Sequence, residues 1–197
     1  MLLEIGHHIL LRINMMISAE NIILRSLKQK DAPFMLEWMH DLDIQKAFKK
    51  NMMDASIEDV RAFIKNAEIP EELVTGTNIH YAIVDREDDQ YLGTISLKDI
   101  DLENGTTEYA ITMRKMAQGK GIAYKATKLI LKKAFQEFGL RRVFLSVHAD
   151  NYAAIKLYEK SGFKYEGEFR EHFLIDGKYV GWKWYGLLRE EYCDKRI

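Results

Sequence analysis

The stretch from Met113 to Ile130, MRKMAQGKGIAYKATKLI, places two glycines and several lysines immediately before a predicted helix. The first N–H groups of a helix have no partner inside the helix, and the helix dipole favours negative charge there. Glycine allows the backbone to approach a phosphate without a side chain in the way. The stretch therefore predicts either an ordinary turn before a helix or a cradle of backbone amides for a phosphate group.

Two well-known phosphate loops do not fit this stretch. A Walker loop requires a Ser or Thr after GxxxxGK, whereas Lys120 is followed by Gly121, so the magnesium-binding hydroxyl is missing. A dinucleotide fold places GxGxxG after its first strand, but here the loop follows a series of predicted strands. Both classes are excluded.

The segments on either side of the loop predict one mixed α/β domain. β-rich runs precede it at 80–85, 91–100 and 105–113, and their short connections indicate an antiparallel meander. A helix is predicted over 121–138, because apolar residues recur every four positions and Gly139 follows. A strand, a short helix and a final hairpin follow, at 141–149, 150–162 and around Asp176-Gly177.

The N-terminal part of the domain adds a strand and two helices. The strand is predicted at 21–27, and Asp31 is the N-cap candidate of the first helix. The second helix is predicted over 54–69, where Ser56 and Asp59 have capping-box spacing and Val60, Phe63, Ile64 and Ala67 face inward. The central strand–helix–strand connection should be parallel and right-handed.

Two paired motifs carry a resemblance to a known family. Gln118, Gly121 and Ala123 match the pattern Gln/Arg-x-x-Gly-x-Gly/Ala, and NYAAIKLYEKSGF follows about thirty residues later at 151–163. Together these segments resemble the GNAT superfamily of acetyl-CoA-dependent N-acetyltransferases over about residues 20–190. The C-terminal tail is typical of the branch that contains ribosomal-protein N-terminal, spermidine and amino-sugar acetyltransferases.

The resemblance implies a single-domain GNAT-like α/β fold, a mixed central sheet with splayed central strands flanked by helices. It also implies acetyl-CoA as co-substrate. The backbone of the loop would hold the CoA pyrophosphate, and two strand residues and two helix residues would contact the pantetheine arm. The implied cofactor-binding residues are Gln118, Gly119, Lys120, Gly121, Ile122 and Ala123 for the pyrophosphate, with Ile111, Met113, Asn151 and Ala154 for the arm.

Tyr158 is the catalytic residue that the resemblance implies, and Glu108 is the candidate that remains for a base. Asn151, Ala154, Ile155 and Tyr158 share one helix face, and a tyrosine there can donate a proton to the CoA thiolate. Some relatives carry a glutamate base on the strand before this helix, where this chain has Ser146. Glu108 is therefore the candidate base, and His148 is an alternative that could instead cap the strand end.

The first two helices and the last hairpin would build the acceptor site. Glu37, Trp38, His172 and Trp184 are the candidates, because acidic residues near aromatic rings suit a cationic amine. The acceptor options are a small-molecule amine, such as an amino sugar or polyamine, and a protein N-terminus. A non-catalytic acyl-CoA-binding module and an interaction domain that binds no CoA also stay open. A homodimer through the final hairpin is common among such proteins.

Composition limits the remaining classes. The chain has 197 residues, 29 basic and 30 acidic, so no basic excess points to nucleic acid. The single cysteine excludes an internal disulfide, and the six histidines lack paired-ligand spacing, so no metal is expected. Neither a signal peptide nor a membrane span is recognised, which predicts a cytoplasmic protein without a membrane partner. Residues 1–14 are interpreted as an extension before a domain at 15–197.

Overall fold

The computed structural model of the chain describes residues 18–49, 51–175 and 177–194; the predicted extension at 1–14 lies outside them. The strands are β1 Ile22–Ser26, β2 Thr77–Asp85, β3 Tyr91–Asp101, β4 Thr106–Met113, β5 Arg142–His148, β6 Lys164–Ile175 and β7 Lys178–Leu188. The α-helices are α1 Ala32–Met39, α2 Leu42–Gln45, α3 Ile57–Asn66, α4 Ile122–Lys132, α5 Tyr152–Ser161 and α6 Arg189–Asp194.

The strands form one seven-stranded sheet in the order β1-β2-β3-β4-β5-β7-β6. Neighbouring strands are antiparallel except β4 and β5, which are parallel and joined through α4. The predicted meander, the parallel connection and the mixed α/β class are all confirmed. Across the described residues, no helix is long and apolar enough to cross a membrane.

The parallel junction between β4 and β5 is short. Only Thr106–Arg142, Thr107–Val143 and Glu108–Phe144 pair across it. Beyond Glu108, residues 109–113 pair only with β3, and residues 145–148 pair only with β7. We call the space between these two segments the central gap. The splayed strands that the family resemblance implied are therefore present.

Alternating side chains of the sheet build a core on each face. On β2, Tyr81 and Ile83 point to the core that includes α4 and α5, whereas Ala82 and Val84 point to the core that includes α1 and α3. We call these sides the α4 face and the α1 face. Burying each large apolar side chain on either face contributes about 1.5–3 kcal/mol before entropy is counted, so both layers of helices are held firmly on the sheet.

Three local predictions differ from the structure. The helix predicted over 121–138 is α-helical only to Lys132 and continues as a π-helical turn over Lys133–Glu137. Phe63, predicted to face inward, is 38% exposed. Asp31 occupies the N-cap position of α1, but its carboxylate does not cap the helix. It accepts hydrogen bonds from Arg25 at 2.7 and 2.9 Å, because a buried carboxylate is stabilised best by a paired guanidinium.

Candidate active site

The glycine loop forms a row of free backbone donors at the start of α4. Gly119 and Gly121 have φ values of +73° and +75°, which favour glycine over any other residue. A Cβ on Gly119 would meet nothing within 4 Å, so the backbone conformation alone requires glycine there. Within the described ranges, no N–H group from 119 to 124 has a hydrogen-bond acceptor. We call residues 119–124 the amide cradle, and its donors suit an anionic group.

Side chains fix the loop that leads into the amide cradle. Gln118 Nε2 donates to the Met113 carbonyl at 3.2 Å, which closes the turn after β4. The buried Arg114 donates to Glu37 at 2.6 and 3.1 Å and to the Tyr91 carbonyl at 3.1 Å. Glu37, an acceptor-site candidate, thus has its carboxylate engaged with Arg114. The bidentate pair ties the loop to α1 and preorganises the cradle.

Tyr158 lies on α5 at the α4 face of the sheet, next to the central gap. Its side chain is 7% exposed and packs edge-on against Tyr109, with ring centroids 5.9 Å apart. Burial raises the pKa of the Tyr158 phenol well above its usual value. Its hydroxyl makes no hydrogen bond to another residue in the described part of the chain. The phenol therefore keeps its proton at neutral pH and has it free for a ligand.

The other residues implied for cofactor binding line the same region. Asn151 is the N-cap of α5, and its Oδ1 accepts from the Ala154 N–H at 3.2 Å. Ala154 and Ile111 are partly buried against the core of the α4 face, and Met113 is buried in it. The end of β4 and the start of α5 thus pack against the same core, and the cofactor-binding roles of these residues stay predictions.

Glu108 and Ser146 lie on the opposite, α1 face of the sheet. Glu108 lies between two buried residues that point to the α4 face, so its own side chain points to the α1 face. It is half-buried beside Phe144 on β5. Neither a hydrogen bond nor an ion pair engages its carboxylate among the residues that the structure describes. His148 Nδ1 instead accepts from the Asp150 N–H at 3.1 Å, as the strand-cap alternative supposed.

The four acceptor-site candidates lie in two different places. Trp38 is buried in the core of the α1 face, where its Nε1 donates to the Tyr91 hydroxyl at 3.1 Å. His172 and Trp184 belong to an aromatic cluster on β6 and β7. His172 packs edge-on against Phe173, with ring centroids 4.4 Å apart. Neither Glu37 nor Trp38 is part of this cluster.

Two further polar residues at the α1 face carried no recognisable sequence signal. Lys49 donates to Ser146 Oγ at 3.1 Å from the segment between α2 and α3. His80 on β2 has its Nδ1 2.8 Å from Ser96 Oγ on β3. Burial and the positive charge of Lys98 lower the pKa of His80 from 6.5 to about 4. Lys49 is a single residue in a loop and His80 a single residue in a strand, so neither belongs to a motif that the sequence could reveal.

His80 should make the fold sensitive to acid. The unfolded chain takes up a proton on this histidine below its ordinary pKa of 6.5, but the folded chain resists protonation down to about pH 4. The contribution of neutral His80 to the free energy of unfolding is therefore fully present above pH 6.5, and it is lost as the pH falls towards 4. At pH 4.5 we expect a loss of roughly 2–3 kcal/mol relative to pH 7.5.

Urea unfolding of His80→Asn at these two pH values tests this expectation, since the amide can still bond to Ser96. Between pH 7.5 and 4.5, the variant should lose about 2–3 kcal/mol less stability than the wild type loses. An identical loss in both proteins would show that His80 does not control the acid sensitivity.

Comparisons with known proteins agree with this geometry. A family model described as "Acetyltransferase (GNAT) domain" matches residues 21–164. The spermidine N(1)-acetyltransferase of Escherichia coli (strain K12) is 29% identical over 162 residues, which cover 82% of this chain and 83% of that protein. The spermidine N(1)-acetyltransferase of Vibrio cholerae serotype O1 is 26% identical over 175 residues, which cover 88% and 96%.

A solved structure has the same fold. The crystal structure of spermidine N-acetyltransferase from Vibrio cholerae in complex with CoA and spermine gives a TM-score of 0.77 at 23% identity, covering 88% of this chain and 99% of that chain. The match to the family model spans most of the domain, including β4, the amide cradle and α5. The chain therefore belongs to the GNAT acetyltransferase family and is an acetyl-CoA-dependent N-acetyltransferase.

Proposed function

We propose that the protein acetylates a primary amino group of a polyamine, with Tyr158 as the proton donor to the departing CoA thiolate. The observation that carries the proposal is the central gap, which has free backbone donors at one end and a buried, protonated phenol beside it. The polyamine as acceptor rests on the relatives named above, which are spermidine N(1)-acetyltransferases.

The residues around the gap fit acetyl-CoA. The amide cradle would bind the pyrophosphate through its N–H groups, aided by the positive end of α4. The β4 edge at Ile111 and Met113 would pair with the pantetheine arm as an added strand does. Asn151 and Ala154 would contact the arm from the side of α5. Bound there, acetyl-CoA supplies an activated thioester whose sulfur can leave as a thiolate.

Glu108 and Tyr158 would accept and donate protons on opposite faces of the sheet. An aliphatic amine with a pKa near 10.4 is protonated at neutral pH, so it must lose a proton before it can attack. Glu108, on the α1 face, is our candidate to accept that proton, directly or through water. Tyr158, on the α4 face, would give its proton to the sulfur. The amine would therefore approach from the α1 face.

A panel of amines tests the acceptor. We expect spermidine to release free thiol from acetyl-CoA with a kcat/KM at least about tenfold above that of a hexosamine or of a peptide with a free N-terminus, because a polycation suits an aromatic and acidic site. Mass spectrometry of the product must show one added acetyl group per molecule. Turnover of the peptide alone would contradict the polyamine, and binding of acetyl-CoA without any turnover would instead indicate a non-catalytic module.

Self-association through the final hairpin stays a prediction. The outer strand β6 exposes Phe169 at 51% and Leu174 at 61%, and β7 exposes Tyr179 at 68%. Leu174 and Tyr179 are register partners, and exposed apolar side chains that lie side by side are typical of a contact with another protein chain. A second copy of this chain is the homodimer partner that the family resemblance suggests.

A further inference from the structure

The ammonium group of Lys49 lies among three aromatic rings on the α1 face. Its Nζ is 5.4 Å from the ring centroid of Phe173, 5.3 Å from that of Trp182 and 5.8 Å from that of Trp184. We call these three rings the aromatic cage. The same nitrogen donates to Ser146 Oγ at 3.1 Å. All these distances are within the range of cation–π attraction and hydrogen bonding.

The aromatic cage is built on the sheet, whereas its occupant comes from a loop. Trp184 is the register partner of Ser146 on β5, and Phe173 on β6 packs edge-on against Trp182 at 5.0 Å. Lys49 belongs to the segment between α2 and α3, and as a residue it is exposed to solvent. The cage therefore keeps its shape if the lysine leaves, and the lysine can leave without disturbing the core.

The surroundings of this ammonium group are those of a binding site rather than of a structural ion pair. In the described part of the chain, no carboxylate lies within ion-pair distance of Lys49 Nζ. The indole N–H groups of Trp182 and Trp184 are buried without a hydrogen-bond partner among the described residues. An ammonium group cannot accept these N–H bonds, so only the ring faces of the two indoles take part in the cage. Ser146 also places the cage beside the β5 wall of the central gap.

We propose that the aromatic cage binds an alkylammonium group of the acceptor amine, and that Lys49 fills the cage in the free protein until the acceptor displaces it. The inference rests on the proposed function. Aromatic rings favour a positive charge, whereas the nitrogen that attacks the thioester must be neutral. The caged ammonium is therefore a second, non-reacting amino group, and the site selects diamines and polyamines over monoamines.

A quaternary ammonium probe separates binding from acetyl transfer. Butyltrimethylammonium cannot be acetylated, and two of the three tryptophans of the chain are in the cage, so quenching of tryptophan fluorescence reports its binding. We expect Lys49→Met to bind the probe about fivefold more tightly than the wild type, because the competing ammonium is gone. The same variant should show a lower KM for spermidine.

Lys46→Met is the matched control, since Lys46 lies in the same segment but pairs with Asp43. It should bind the probe as the wild type does. Adding Phe173→Leu to Lys49→Met should abolish the gain in affinity for the probe. If the Phe173→Leu double variant folds poorly, Trp184→Leu in the same background provides a second test. Equal affinity of Lys49→Met and Lys46→Met for the probe would overturn the cage, even if spermidine is acetylated. Tight probe binding by Lys49→Met without turnover of any amine would support the cage and overturn the proposed function.

Discussion

Replacing Tyr158 by phenylalanine should lower kcat about 10²- to 10⁴-fold, the usual contribution of a positioned proton donor. The Kd for acetyl-CoA should change little, because the ring and its packing against Tyr109 and Phe163 are kept. The fold should also tolerate the change, since the hydroxyl bonds to no other residue in the described ranges. Steady-state kinetics and calorimetric binding of acetyl-CoA measure the two quantities separately.

Tyr109→Phe is the control for this experiment. Tyr109 is another buried phenol near the gap, but its hydroxyl is 2.8 Å from Thr127 Oγ1 and is engaged in the core. The control should lose about 1 kcal/mol of stability and keep kcat within a small factor. A Tyr158→Phe enzyme that turns over at the wild-type rate would remove Tyr158 as the proton donor, and the proton would then come from elsewhere.

Replacing Gly121 by alanine should raise the Kd for acetyl-CoA at least about tenfold. The αL conformation of Gly121, with φ at +75°, costs an alanine about 1–2 kcal/mol. If the backbone relaxes to relieve that strain, the N–H groups of the amide cradle no longer point in a common direction. Wild-type protein at 100 times its Kd should gain about 2.7 kcal/mol of stability from acetyl-CoA. The variant should gain clearly less at the same ligand concentration in thermal unfolding.

Gly139→Ala is the control that separates the effect of backbone strain on stability from an effect on acetyl-CoA binding. Gly139 follows the other end of the same helical segment with φ at +68°, and a Cβ there would meet nothing within 4 Å. Both variants should lose a similar stability without ligand, but only Gly121→Ala should bind acetyl-CoA more weakly. Equal stabilisation of the two variants by acetyl-CoA would show that the cradle does not hold it.

Local patterns were sufficient to predict the order of the strands and main helices. The period-2 runs before the loop, the capping box at Ser56 and Asp59, and the glycine loop are local signals, and each has the predicted structure. Helix α6 and the π-helical turn after Lys132 were not predicted. Both depend on what the C-terminal segment and the end of α4 pack against, which a short sequence window does not contain.

The site was predictable only where residues act through a motif. The loop from Gln118 to Ala123 follows β4, and the helix that carries Tyr158 packs against Tyr109 on that strand, while the roles of these residues stay predictions. Trp38 looks the same in sequence whether it lines a pocket or fills a core, and the structure places it in a core. Lys49 was not predicted, because its contacts with Ser146 and the hairpin span about a hundred residues of chain.

The central gap also has a consequence for the behaviour of the free protein. A strand edge without a partner is a template for pairing with another chain, and proteins usually keep such edges at the rim of a sheet and cover them. Here residues 109–113 and 145–148 leave two facing edges in the middle of the sheet. Acetyl-CoA bound between them as proposed would occupy the backbone groups that could otherwise pair with a foreign strand. We therefore expect the free protein to aggregate more readily than the protein saturated with acetyl-CoA.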